Sequence, residues 1–309
     1  MSLPFLQSYL GLSNSLQTAQ AVAAPPTSIT RGVFSGGVSL GVTINVIEYV
    51  TIATTGNTTD FGDLSVGRGY VAGCASATRG VFGGGTDNII NFNVIDYITI
   101  LTTGNATDFG DLSVTRQGTG SCASATRGLW GGGHTGANSN VIDYVTIATT
   151  GNAIDFGYLT VGRAYLAGCA DATRGLFAGQ YLSNVIDYVT IATTGNAIDF
   201  GDLTTASRGY IASCASATRG LFAGGYSSVN VIDYVTIATT GNAIDFGDLT
   251  AGRYTLSGCA SATRGLFAGG NNNVINFNVI DYVTIATTGN ATDFGDLSAT
   301  KYRVGTCAG

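Results

Sequence analysis

A block of twenty residues, Asn184 to Leu203, constrains this chain more than any other feature, because it recurs unchanged from Asn230 to Leu249. Near-copies begin at Asn45, Asn93, Asn140 and Asn278. Inside the block a Tyr and a Phe stand 12 residues apart in all six copies: Tyr49/Phe61, Tyr97/Phe109, Tyr144/Phe156, Tyr188/Phe200, Tyr234/Phe246 and Tyr282/Phe294. The copies follow one another every 44 to 48 residues. A period of that length marks an array of like supersecondary units, each covering its neighbour's apolar face.

Length alone allows two ordinary domains in 309 residues, but the even spacing favours one closed ring. Each copy is rich in Thr, Val, Ile, Tyr and Phe, which pack well on pleated sheets. No helical stripe runs through the repeats, so the fold class is all-β. In the fourth copy the turn signals divide the chain into four strands: Gly162 to Ala170, Thr173 to Gly179, Val185 to Thr193 and Ala197 to Leu203. Alternation puts Ile186, Tyr188 and Thr190 on one face of the third strand, and Val185, Asp187, Val189 and Ile191 on the other. The first strand carries mainly Gly, Ala, Ser and Cys, which suits the crowded centre of a radial array.

The two ends of the repeat region are complementary. Thr30-Arg31-Gly32-Val33-Phe34 is a second strand with no first strand before it, and Thr306-Cys307-Ala308-Gly309 closes a first strand with no second after it. Pairing them closes the ring and removes two exposed sheet edges. The expectation is a six-bladed β-propeller over residues 30–309, of four-stranded antiparallel blades, closed by the C-terminal strand joining the first blade.

Charge narrows the partners. The net charge is −6, Lys301 is the one lysine, and the arginines are spread along the repeats, so a nucleic-acid surface is excluded. No apolar run reaches the roughly 18 residues of a membrane span, so membrane insertion is not expected. Cys74, Cys122, Cys169, Cys214, Cys259 and Cys307 fall at one equivalent position per copy. Such positions in neighbouring blades lie beyond the roughly 7 Å Cα separation a disulfide tolerates, so these are read as free, buried, small apolar side chains.

Residues 1–29 contain no charge. Leu3, Phe5, Leu6, Tyr9, Leu10, Leu12 and Leu16 give a partly helical apolar spacing, followed by the stiff Ala23-Ala24-Pro25-Pro26. Ala21-Val22-Ala23 resembles a cleavage site, but the segment lacks a basic start and a continuous apolar core. The expectation is a docking arm that orders on a partner, with those seven residues as its contacts.

The repeats resemble those of kelch-type β-propellers, in which an Arg, a strand ending in a glycine pair, a Tyr and a bulky aromatic recur. Here the pairs are Gly36-Gly37, Gly83-Gly84, Gly131-Gly132, Gly224-Gly225 and Gly269-Gly270. The fourth copy departs with Gly179-Gln180, Phe stands where the family usually has Trp, and Lys301 replaces the Arg of the other copies. That resemblance implies fold far more than function. The units Tyr-x-Thr-Ile-Ala-Thr-Thr-Gly-Asn-Ala-x-Asp-Phe-Gly-Asp-Leu also resemble arrays in structural proteins of aquatic tailed phages, cyanophages included. This second resemblance implies a virion component, assembled in the host cytoplasm, at the tail tip or needle, in a fibre or at an exposed vertex. Its partners would be other virion proteins, held through the arm, and a host-surface glycan or protein.

Near-identical copies offer rings of one residue type, whereas catalysis needs unlike groups at one place. His134 is the single histidine and the cysteines never form Cys-x-x-Cys, so no catalytic, cofactor or metal residue is assigned. The Asp-Phe-Gly-Asp motif (Asp60/Asp63 and equivalents) provides too few oxygens for calcium. It is read as turn capping and as pairing with Arg79, Arg127, Arg174, Arg219 and Arg264. Variation concentrates between the glycine pair and the next Asn-Val-Ile, in loops expected on one rim, where either neutral drift or recognition puts it. The candidate binding residues there are His134, Asn138, Tyr181, Tyr226, Asn271 and Asn272. The alternatives to a phage component are a cellular carbohydrate- or protein-binding propeller, and an enzyme resembling galactose oxidase, which the missing metal ligands disfavour.

Overall fold

The computed structural model describes residues 30–309. The arm residues Leu3, Phe5, Leu6, Tyr9, Leu10, Leu12 and Leu16 lie outside the described residues. Six four-stranded antiparallel sheets form the blades of a ring, and a two-stranded hairpin, Val38–Ser39 with Val42–Thr43, rises from the first. In the fourth blade the strands are Ala167–Ala170, Arg174–Gln180, Ser183–Thr190 and Ile198–Asp202, counted from axis to rim. The first blade is built from both ends of the region: Gly305–Ala308 pairs with Arg31–Ser35, in the register Gly32 to Ala308 and Phe34 to Thr306. The ring closes as the complementary ends require.

Strand one is shorter than its sequence suggests. Only Ala167–Ala170 pairs, because Arg163 turns inward and Tyr165 takes a left-handed conformation (φ 58°) that no strand continues. The third strand likewise stops at Thr190, where the chain turns and the Thr193 amide donates to the Thr190 carbonyl.

Six inner strands converging on one axis leave room for little more than backbone. Around that axis the residue before each cysteine alternates strictly: Thr306, Gly73, Ser121, Gly168, Ser213, Gly258. Each hydroxyl donates to the carbonyl of the glycine one blade back, Ser121 to Gly73 (2.8 Å), Ser213 to Gly168 (2.8 Å) and Thr306 to Gly258 (2.7 Å). A Cβ on Gly73 would stand 2.6 Å from the Thr306 carbonyl oxygen, so these glycines are sterically required. The sixfold ring is therefore, at its centre, a threefold ring of blade pairs.

The cysteines lock neighbouring blades. Cys74 Sγ sits 2.8 Å from where a Cβ of Gly128 would be, and Cys307, Cys122, Cys169, Cys214 and Cys259 meet Gly80, Gly175, Gly220, Gly265 and Gly32 in the same way. All six are free and buried, and burial pushes the thiols of Cys74, Cys169 and Cys259 up to about 12.

Farther out, each blade buries one Phe against the next blade, as Phe200 does beside Phe222 and Val235. The paired Tyr packs edge-on at 5.8 to 6.0 Å in all six copies. Arg174 lies 4.8 Å over the Tyr188 ring and donates to the Ile237 carbonyl of the following blade. Arg79, Arg127, Arg219 and Arg264 do the same. The expected pairing of these arginines with the Asp-Phe-Gly-Asp carboxylates is therefore corrected: they satisfy main-chain carbonyls across the blade interface. The turn cap is likewise an Asn. Asn105 Oδ1 accepts from the Asp63 amide (3.0 Å), while the Gly104 and Ala106 amides donate to the Phe61 and Asp63 carbonyls. The six equivalent Asn residues staple all six outer edges in this way, which leaves those edges unavailable to another chain.

Buried ion pairs fix the connections between blades. Arg68, Arg116, Arg163, Arg208 and Arg253 pair with Asp96, Asp143, Asp187, Asp233 and Asp281, every side chain 0% exposed. Arg68 also donates to the carbonyls of Phe82, Gly84 and Val94, and Asp96 accepts from Ser65 at the end of the preceding blade. Such pairs survive burial because main-chain carbonyls take further Nη donors, although the Nε of Arg68, Arg116, Arg163 and Arg253 stays buried without a partner. The sixth pair is Lys301 with Glu48 at 2.7 Å. The shorter reach of the lysine is met by the longer acid, and Thr58, an Ala in the other copies, donates to Glu48 Oε2 (3.0 Å). Glu48→Asp or Lys301→Arg alone should destabilise the ring by roughly 1–3 kcal/mol, and the double change should recover most of the loss. Denaturant unfolding of the four proteins of that cycle measures the coupling, which vanishes if the two side chains act independently.

Candidate functional site

Strand two climbs towards the variable loops and strand one descends from the same end, so the loops and the start of each inner strand share one face. Short bridges tie them together: Gly69 to Thr86, Gln117 to His134, Tyr254 to Asn271 and Val38 to Tyr302. Thr30 precedes the base of its strand, so the chain enters the ring on the opposite face.

On the loop face the axis is encircled by main chain. Tyr70, Gly118, Tyr165, Tyr210, Thr255 and Arg303 all take left-handed conformations, with φ between 53° and 63°. Each amide donates to the carbonyl of the residue one blade back, closing a ring of hydrogen bonds from Tyr70 to Arg303 (2.8 Å) through to Arg303 and Thr255 (2.9 Å). A non-glycine residue here costs of order 1–3 kcal/mol, and for β-branched Thr255 the conformation is an outlier. Five of six positions bear that strain and thereby aim side chains over the axial mouth.

Tyrosines gather there. Tyr165 leans across the seat left by Gly118, whose Cβ would stand 2.5 Å from the Tyr165 ring. Tyr165 stacks on Tyr210 (4.4 Å, 21° between planes) and approaches Tyr70 at 4.9 Å. Arg303 lies 4.3 Å over the Tyr70 ring and donates from Nη1 to Asn88 Oδ1 (2.8 Å). Below the tyrosines is an axial cavity of about 110 Å³, onto which the buried, unpartnered hydroxyls of Thr119 and Ser257 open. Beside them an open groove of about 510 Å³ runs between the loops of the second and third blades, past Asn88, Asn91, Gln117, His134 and Arg303.

The expected rim residues divide in two. His134 stacks near Tyr165 (6.3 Å), and Tyr226 reaches Tyr181, Tyr210 and Tyr254. Asn271 borders the same cluster and donates to Thr255 Oγ1 (3.4 Å). Asn272 caps its own loop, accepting from the Val274 and Ile275 amides, and exposed Asn138 bridges to His134 through main chain. Neither lines the groove. Tyr70, Tyr165, Tyr210 and Arg303 stand outside the expected set. Their signal was the position two residues after each inward Arg or Lys, which reads Tyr, Gly, Tyr, Tyr, Thr, Arg around an otherwise uniform repeat.

Exposed apolar tips crown part of this face. Leu40, Ile89 and Val274 are 89%, 88% and 85% exposed on three consecutive blades. The opposite mouth is lined by Ala and Ser residues with Asp171.

Burial raises the pKa of Tyr70, Tyr165 and Tyr210, and Arg303 opposes that rise by stabilising the phenolates. The stabilisation from neutral phenols is complete below the ordinary value of 10.0 and drains away as pH climbs through the raised values. Ultraviolet titration should show these phenols ionising after the exposed ones, and Arg303→Gln should delay them further. Titration of all tyrosines in one step near the ordinary value contradicts this geometry.

Scanning protein-family models and searching curated proteins yields no match to this chain.

Proposed function

We propose that the chain is a non-enzymatic binding module whose loop face recognises a glycan or protein surface. The carrying observation is the division of labour between the two faces. The stapled edges, ion pairs and cysteine-glycine contacts are spent on holding the ring, whereas strain, aromatic surface and sequence variation meet at one mouth. A rigid scaffold with variable loops at one end is where recognition concentrates.

In its finer form the proposal is a structural component of a tailed-phage virion, at the tail tip, in a fibre or at an exposed vertex. The resemblance of the Asp-Phe-Gly-Asp units supports it. So does the entry of the chain on the face opposite the mouth: an arm of residues 1–29 would dock to other virion proteins there and leave the mouth facing outward, towards the host. A cellular carbohydrate- or protein-binding propeller uses the same mouth without the particle.

The full chain, a form lacking residues 1–29, and Tyr181→Ser/Tyr226→Ser are compared for attachment to purified particles and to cell-surface preparations. Loss of the arm should abolish particle attachment and spare surface binding, and the tyrosine changes should do the reverse. Surface binding unaffected by changes on the loop face sinks the binding-face reading. If no particle takes up the full chain, the virion form falls and the cellular form stands.

A further inference from the structure

We propose that the mouth binds a carboxylate-bearing saccharide, with Arg303 as the ligand of the carboxylate and Tyr70, Tyr165 and Tyr210 as the stacking surface. The proposal rests on the reading of the loop face as the binding face and names the chemistry of its ligand.

Elimination singles out Arg303. Five arginines are buried against aspartates and Lys301 against Glu48. Arg31, Arg79, Arg127, Arg174, Arg219 and Arg264 donate to main-chain carbonyls of the next blade. Among the described residues Arg303 is the one cation whose side chain bonds neither a carboxylate nor a main-chain carbonyl. Asn88 takes one of its Nη1 donors; its Nε is buried without a partner, as in Arg68, Arg116, Arg163 and Arg253, so the donors left for a ligand are on its Nη atoms. A guanidinium held over an aromatic ring and by Asn88 presents its remaining donors in a planar fork, which matches a carboxylate. The carboxylate in the adjoining loop, Asp87, is already held by the Ile89 and Ile90 amides and makes no ion pair with Arg303.

The surroundings point to a sugar rather than a free anion. Three phenol rings gather within 4.4 to 6.1 Å of one another beside Arg303, an aromatic wall that a lone carboxylate would not need. Gln117 lines the same groove with His134 and supplies an amide suited to hydroxyls, as does Asn91 through its Oδ1, its Nδ2 already donating to the His134 carbonyl. The groove's volume of about 510 Å³ takes one or two sugar rings beside the tyrosines. The mouth is one of a kind in the ring, since no other blade has Arg at this position.

Calorimetric titration of the full chain tests this with a short oligouronate and its carboxyl-reduced counterpart, in which each carboxylate has become a primary alcohol. The oligouronate should bind at least about tenfold more tightly than the neutral form, and the advantage should shrink as salt is raised. Arg303→Gln should bind the two alike with unchanged thermal melting, Arg303→Lys should keep part of the preference, and Tyr165→Leu should weaken both. Equal binding of the two oligosaccharides by the native chain overturns the carboxylate assignment, as does a preference that survives in Arg303→Gln. If neither sugar binds while cell-surface attachment still depends on Tyr181 and Tyr226, the saccharide assignment alone falls. If that attachment fails too, the binding-face reading falls with it.

Discussion

Crowding at the axis is the constraint from which the rest of the structure follows. Six inner strands pack so closely that a side chain can be tolerated on only every second blade at the level of Gly73 and Ser121, and each such hydroxyl must donate to its neighbour's carbonyl. One step along the strand the cysteine sulfurs project over a glycine of the following blade. Interiors at crystal-like density do not absorb even a methylene without movement, so this centre dictates the small residues of every copy.

The same crowding creates the mouth. At the top of the inner strands the chain has to turn sharply, and it does so with six consecutive-blade residues in left-handed conformations whose amides chain into a ring. The hydrogen-bond ring and the buried ion pairs two residues upstream, four Arg–Asp and one Lys301–Glu48, over-determine that backbone, which is how strain at Tyr70, Tyr165, Tyr210, Thr255 and Arg303 is sustained. Structural necessity thus fixes where the side chains emerge, while their identity is left open. Glycine at residue 118 and arginine at residue 303 use that freedom to break the symmetry.

The first blade shows what closure demands. It is assembled from chain segments more than 250 residues apart, and there the Arg–Asp pair of the other blades becomes Lys301–Glu48 with Thr58 as an added donor. A shorter base and a longer acid reach the same separation. Lys301 stood out in the sequence as an exception to a column. Its meaning was hidden because Glu48, in a different column, carries the compensating change, and only the sheet register brings the two together.

By itself the sequence determined the ring: a fixed period, four strand-like runs per copy and complementary half-blades at the ends leave one closed arrangement, because each unit must cover its neighbour's apolar face and every edge must pair. It showed one cysteine per blade, but the expected separation of equivalent positions fails at the axis, where residues such as Ser121 and Gly73 meet. The thiols are free, with each sulfur aimed over a glycine of the following blade. Only the tertiary structure decided which charges pair, because the Arg–Asp contacts depend on a side chain reversing direction at a left-handed turn that periodicity does not reveal. The same holds for the mouth. Tyr70, Tyr165, Tyr210 and Arg303 lie on different blades, and only their common distance from the axis makes them a site.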